Sequence, residues 1–193
     1  MKRILRAAAA ATALLLITST AHAQQTHEHR GFWIGFGLGG GINLGDGLDG
    51  ESLAGGSGYL RLGGTPNQRV LLGFEGIGWS REQSGSMLGR GNGSFVVLFY
   101  PTMDGGLFVK GGVGGASVSR VSVEGNTTTT TTENGFGATL GAGWDVRIGR
   151  NLYLAPGVDF LFQAFGEQEE DPILGTIPST NSILLFTLGL TWH

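Results

Sequence analysis

Phe136-Gly-Ala-Thr-Leu-Gly-Ala-Gly-Trp-Asp-Val-Arg-Ile148 reads as the two faces of one extended strand. Its even positions carry Phe136, Ala138, Leu140, Ala142, Trp144, Val146 and Ile148, and its odd positions carry only Gly, Thr139, Asp145 and Arg147. Side chains alternate across a β-strand, so the large apolar groups share one face and the polar groups the other. A helix is poorly supported where glycine recurs every second or third residue. Residues 152–165 repeat the pattern, with Leu152, Leu154, Val158, Phe160 and Phe162 on one face and Asp159 and Gln163 on the other.

Working outward, the same period of two predicts further strands at 32–39, 55–64, 70–80, 94–100, 106–121 and 182–192, eight in all. Glu75 marks the inner face of 70–80 and Lys110 that of 106–121, which leaves Val70, Leu72, Phe74, Leu107, Val109 and Val113 outside. The connections alternate between short (65–69, 101–105, 149–151) and long (45–54, 81–93, 122–133, 166–181). An even strand number, strands of about ten residues and alternating turns and loops predict an all-β, eight-stranded antiparallel up-and-down transmembrane β-barrel. Its short turns are expected in the periplasm and its long loops outside the cell.

Composition decides between this and a water-soluble barrel. Of 193 residues 37 are glycine, none is cysteine and only 14% are charged, which excludes disulfides and leaves too little charge for a solvated outer wall. The faces opposite the apolar residues carry mostly Gly, Thr and Ser, which suit a narrow lumen filled by Trp33, Trp79, Phe108 and Tyr153.

Lys2, Arg3 and Arg6, the apolar run from Ala7 to Ile17, and Ala21-His22-Ala23 predict a secretory signal peptide over 1–23. The apolar run is too short to span a bilayer. Cleavage would leave 24–193 as one barrel domain; loss of three bases takes its net charge to -6, which argues against a nucleic-acid partner.

The segment from Phe136 to Phe160 resembles the sixth and seventh strands of the small bacterial outer-membrane β-barrel family, which includes OmpX, OmpW-like proteins and the barrel of OmpA. Leu107-Phe-Val-Lys-Gly-Gly-Val-Gly-Gly115 resembles its central glycine-rich strand. The ending Leu188-Gly-Leu-Thr-Trp-His193 resembles its terminal insertion signal, here carried by Phe186, Leu188, Leu190 and Trp192, although the family usually ends on the aromatic and this sequence ends on His193. The resemblance implies location in the cell outer membrane of a Gram-negative bacterium. It also implies contact with outer-membrane lipids and lipopolysaccharide, and assembly by the insertion machinery and periplasmic chaperones.

Six inward charges, Arg61, Glu75, Lys110, Asp145, Arg147 and Asp159, predict a mutually neutralising lumen network, with Arg61 and Glu75 as a cross-strand ion pair. The expected function is a non-enzymatic barrel with surface-exposed loops that serves envelope structure or surface interaction. The alternative is a narrow porin-like channel of OmpW type, and a lipid-modifying enzyme is weaker still. Catalysis would want a histidine near a serine or carboxylate at the membrane surface, yet His27, His29 and His193 lie outside the predicted strands and loops. No catalytic, cofactor or metal site is expected, since His27-Glu28-His29 reads as a solvated tail. The acidic clusters Asp46, Asp49, Glu51 and Glu167, Glu169, Glu170, Asp171 read as solvated loops, and residues 127–132, all threonine, as a mobile hairpin end.

Overall fold

The structure is a computed structural model describing residues 29–45, 53–83, 86–102, 105–124, 127–166 and 179–193. The predicted signal peptide, His27, Glu28 and both acidic clusters lie outside the described residues. The strands are β1 (Gly31–Asn43), β2 (Leu53–Asn67), β3 (Val70–Gln83), β4 (Ser86–Phe99), β5 (Leu107–Glu124), β6 (Thr127–Trp144), β7 (Leu152–Ala164) and β8 (Thr180–Trp192). After an interruption at Asp145, β6 continues through Val146–Arg147 against β7 without a change of register. All neighbours are antiparallel and β1 also pairs with β8, so the sheet closes on itself as an up-and-down barrel.

Followed pair by pair around the wall, Trp33 leads through Gly63, Gly73, Val96, Gly112, Thr139, Leu161 and Ile183 back to Asn43, ten residues farther along β1. A stagger of that size over eight strands tilts each strand on the order of 40° from the axis and leaves a lumen just wide enough for side chains.

The alternation assigns the faces. Trp33, Trp79, Phe108 and Tyr153 are buried inside the barrel, as the sequence predicts. Glycine makes room for them, since a Cβ at Gly73 would lie 2.9 Å from Cζ2 of Trp33. The outer wall is apolar: Leu38, Phe74 and Leu140 are 76%, 66% and 65% exposed. Phe32, Phe99, Trp144 and Trp192 point outward near the short-turn end, where a membrane barrel carries an aromatic girdle. Such a wall is stable only against hydrocarbon. In lipid vesicles Leu140→Arg is therefore expected to cost about 2–4 kcal/mol, measured by guanidinium titration; an unchanged midpoint would mean that water, not lipid, covers the wall.

Two predicted long loops are corrected. Residues 81–93 and 122–133 are largely strand: β3 and β4 continue to Gln83 and Ser86, and the threonine tract forms the start of β6, with Thr127–Thr132 paired to Ser119–Glu124. An 18-residue strand tilted by about 40° rises roughly 45 Å, against an apolar band of about 25 Å. The outer part of the hairpin therefore stands in water, where Thr128, Thr129, Thr130 and Thr132 are exposed and Thr132 Oγ1 lies 3.4 Å from Ser119 Oγ. Backbone pairing continues there after the demand for one greasy face has ended.

Candidate functional site

The polar side chains inside the barrel lie in three groups along its axis. The middle group centres on Lys110 of β5. Its Nζ donates to both carboxylate oxygens of Glu75 on β3, at 2.7 and 2.6 Å, and lies 2.8 Å from Asp159 Oδ1 on β7. Lys110 and Glu75 are about 1% and 0% exposed, so the three charges cross the lumen in a nearly dry place. Gly141 makes this possible, because a Cβ there would collide with Asp159 Oδ1.

The expected Arg61–Glu75 ion pair is corrected in its partner. The two residues face each other in register, but the carboxylate of Glu75 is taken by Lys110. Arg61 donates through Nη2 to Thr191 Oγ1 at 3.3 Å, and its guanidinium lies 4.7 Å from the centre of the Tyr59 ring and 5.1 Å from that of Phe108. A planar cation is stabilised by such rings, whereas a point-like ammonium fits better between two carboxylates.

Toward the long hairpins a group that sequence reading missed fills the lumen. Arg90 Nη1 donates to Gln163 Oε1 at 3.4 Å, Gln163 Nε2 donates to Asn92 Oδ1 at 2.9 Å and to the carbonyl of Gly91 at 3.0 Å, and Asn92 Nδ2 donates to the carbonyl of Ala138 at 3.1 Å. Arg90 and Asn92 fall in a segment read as loop, and only the continuation of β4 turns them inward. The same alternation that places Ser94 inside places them there two and four residues earlier.

At the short-turn end the floor is built around Asp145. Tyr100 donates its hydroxyl to Asp145 Oδ2 at 2.6 Å. Burial, and after it the charge of Asp145, holds the phenol well above its ordinary pKa of 10, so it remains a donor. His193 places Nε2 3.7 Å from Asp145 Oδ2, and its ring meets that of Tyr153 edge-on at 5.1 Å. His29 is also here, buried rather than on a solvated tail. Its backbone N–H donates to Gln68 Oε1 at 2.9 Å, its Nδ1 lies 3.0 Å from the Gln68 carbonyl, and its ring is 4.1 Å from that of Tyr100. Gly31, with φ of 75°, supplies the bend between this segment and β1.

Arg147 is the second correction to the predicted network. It sits half-buried at the short-turn rim, outside the buried network, and donates to the carbonyls of Gly149 and Arg150 at 3.0 and 2.8 Å, which caps the turn before β7. With Arg90 in its place, the buried charges in the lumen are still three basic and three acidic among the described residues.

No known protein family and no curated protein matches the sequence. Solved structures do. The surface protein NspA of Neisseria matches with a TM-score of 0.58 at 14% identity, over 86% of this chain and 99% of its own. The attachment invasion locus protein Ail of Yersinia pestis, solved with the heparin analogue sucrose octasulfate, matches with a TM-score of 0.58 at 10% identity, over 86% and 99%. The chain has the closed eight-stranded fold of small bacterial outer-membrane barrels, with its large exposed apolar residues on the outer face of the wall.

Proposed function

We propose that this is a non-enzymatic structural barrel of the bacterial outer membrane whose lumen is plugged. The β3–β4 and β5–β6 hairpins then present the protein to its surroundings and to the lipopolysaccharide around it. The observation that carries this reading is the buried bridge from Glu75 through Lys110 to Asp159, which spans the lumen at mid-height. The space beside it, lined by Tyr59, Arg61, Phe108 and Asp159, has no room for a water molecule. Paired, hydrogen-bonded charges of this kind are tolerated in a dry interior, and here they obstruct the lumen at mid-height. The outward row Phe186, Leu188, Leu190 and Trp192 on β8 supports recognition by the insertion machinery, with chaperones guarding so apolar a wall in the periplasm.

The purified barrel is expected to give no discrete conductance steps in a planar bilayer. Reproducible steps that change on Glu75→Gln would overturn the plugged lumen and establish the narrow channel. Lipid A composition is expected to be the same with and without the protein. The two described histidines lie at the short-turn end beside Asp145, away from the long hairpins.

A further inference from the structure

The floor of the barrel brings together two imidazoles and a carboxylate from parts of the chain that are far apart in sequence. His29 precedes β1, His193 follows β8, and Asp145 interrupts β6. All three are buried, at 2%, 6% and 1% exposure, and one ligand atom from each lies within 4.8 Å of the other two. We propose that these residues form a binding site for a divalent transition metal of the zinc class, which clasps the segment before β1 and the end of β8 onto β6.

Four features of the geometry point to a metal rather than to three chance neighbours. First, the ligand set is right. Two histidines and one carboxylate are three of the four positions of a tetrahedral zinc site, with the last open to water. Secondly, one pair of donors is already near the spacing of a loaded site and all three lie within 4.8 Å of one another. Donors bound to zinc at about 2.0–2.2 Å sit roughly 3.4 Å from one another, and His193 Nε2 is already 3.7 Å from Asp145 Oδ2.

Thirdly, the outer partners are those that orient metal ligands. The carbonyl of Gln68 accepts only, so at 3.0 Å it fixes the proton of His29 on Nδ1 and leaves the ring's lone pair on Nε2. Tyr100 holds the carboxylate of Asp145 in the same way. Fourthly, the charge calls for a cation. Asp145 is a buried carboxylate whose Oδ1 has no hydrogen-bond partner among the described residues, and neither ring nitrogen of His193 has one. Arg147, two residues away, is committed to the carbonyls of Gly149 and Arg150. A buried acid left this way is costly, and a divalent ion would satisfy it together with both imidazoles. The competing arrangement is a metal-free pair of protonated His193 with Asp145.

The test uses the mature chain without an added histidine tag, folded in detergent, stripped with a chelator and titrated with zinc chloride against a chromophoric competitor. One zinc per barrel with a micromolar or lower dissociation constant is expected, together with the visible absorption of tetrahedral cobalt when Co2+ is used instead. His29→Gln, His193→Gln and Asp145→Asn should each weaken binding by at least about 100-fold, the upper end of what loss of an outer-shell partner costs. Tyr100→Phe should weaken it about tenfold. His27→Gln should change nothing. Because His29 lies outside the strands, His29→Gln should keep heat-modifiable migration on a gel, so that its loss of zinc is not a loss of fold. Binding weaker than micromolar, binding that survives both His29→Gln and His193→Gln, or binding abolished by His27→Gln would each overturn the proposal. The first result would favour the metal-free ion pair, and the last a site on the N-terminal segment alone.

Discussion

Lys110→Met is expected to destabilise the folded barrel by about 3–5 kcal/mol, the usual cost of removing one partner from a buried ion pair. The reason is local. Lys110 Nζ is held by both oxygens of Glu75 and by Asp159 Oδ1, and without it two buried carboxylates are left without their shared cation. Arg61 is across the register from Glu75 but is engaged with Thr191 and two rings, and offers only partial compensation. Guanidinium titration in lipid vesicles measures the loss. Further replacement of Glu75 and Asp159 by their amides should recover most of it, because the cost arises from uncompensated charge rather than from a missing side chain. A loss below about 1 kcal/mol for Lys110→Met would mean that water reaches the pair and that the lumen is open at this height.

The second large effect concerns packing. Gly189→Val should cost about 3 kcal/mol or prevent folding, at the upper end of what overpacking does in a filled interior. A Cβ at Gly189 would lie 2.6 Å from the carbonyl oxygen of Phe36 and would collide with the hydroxyl of Tyr59. The side chain of Tyr59 can move, but the backbone of β1 can do so only by opening its pairing with β8. The control is Gly56→Val on β2, where nothing lies within 4 Å of an added Cβ; it should change stability by less than about 0.5 kcal/mol. Equal losses at the two positions would show that strand propensity, not the lumen, decides.

How far the sequence reveals this molecule depends on what surrounds each segment. Where lipid lies on one side and packed side chains on the other, as along 136–148 and 152–165, alternation is strict, and the faces of β6 and β7 can be read residue by residue. Beyond the apolar band the outward face no longer has to be greasy: the threonine tract is polar throughout, and in 89–93 the residues that alternate with the buried Arg90 and Asn92 are all glycine, so neither segment shows an apolar face although its backbone remains paired. This is why Arg90 and Asn92 escaped notice while Lys110 and Asp159 did not. The partners of individual charges were illegible for another reason. Register puts Arg61 opposite Glu75, but the choice of Lys110 depends on which side chain reaches across the lumen between strands that are not adjacent. The meeting of His29, Asp145 and His193 follows only from closure of the wall, which no local pattern encodes.

That closure also governs how the barrel comes into being. Every other seam joins strands consecutive in the chain, but β1 and β8 meet through pairs such as Gly35 with Thr191, roughly 150 residues apart. Until they meet, two rows of amide and carbonyl groups lack partners, and each such group costs several kcal/mol in hydrocarbon. An open sheet therefore has no resting place inside the bilayer, and folding and membrane entry become a single event in time. Its pace is set by the search for one distant pairing, and once that pairing forms the wall has no edge from which unfolding can begin.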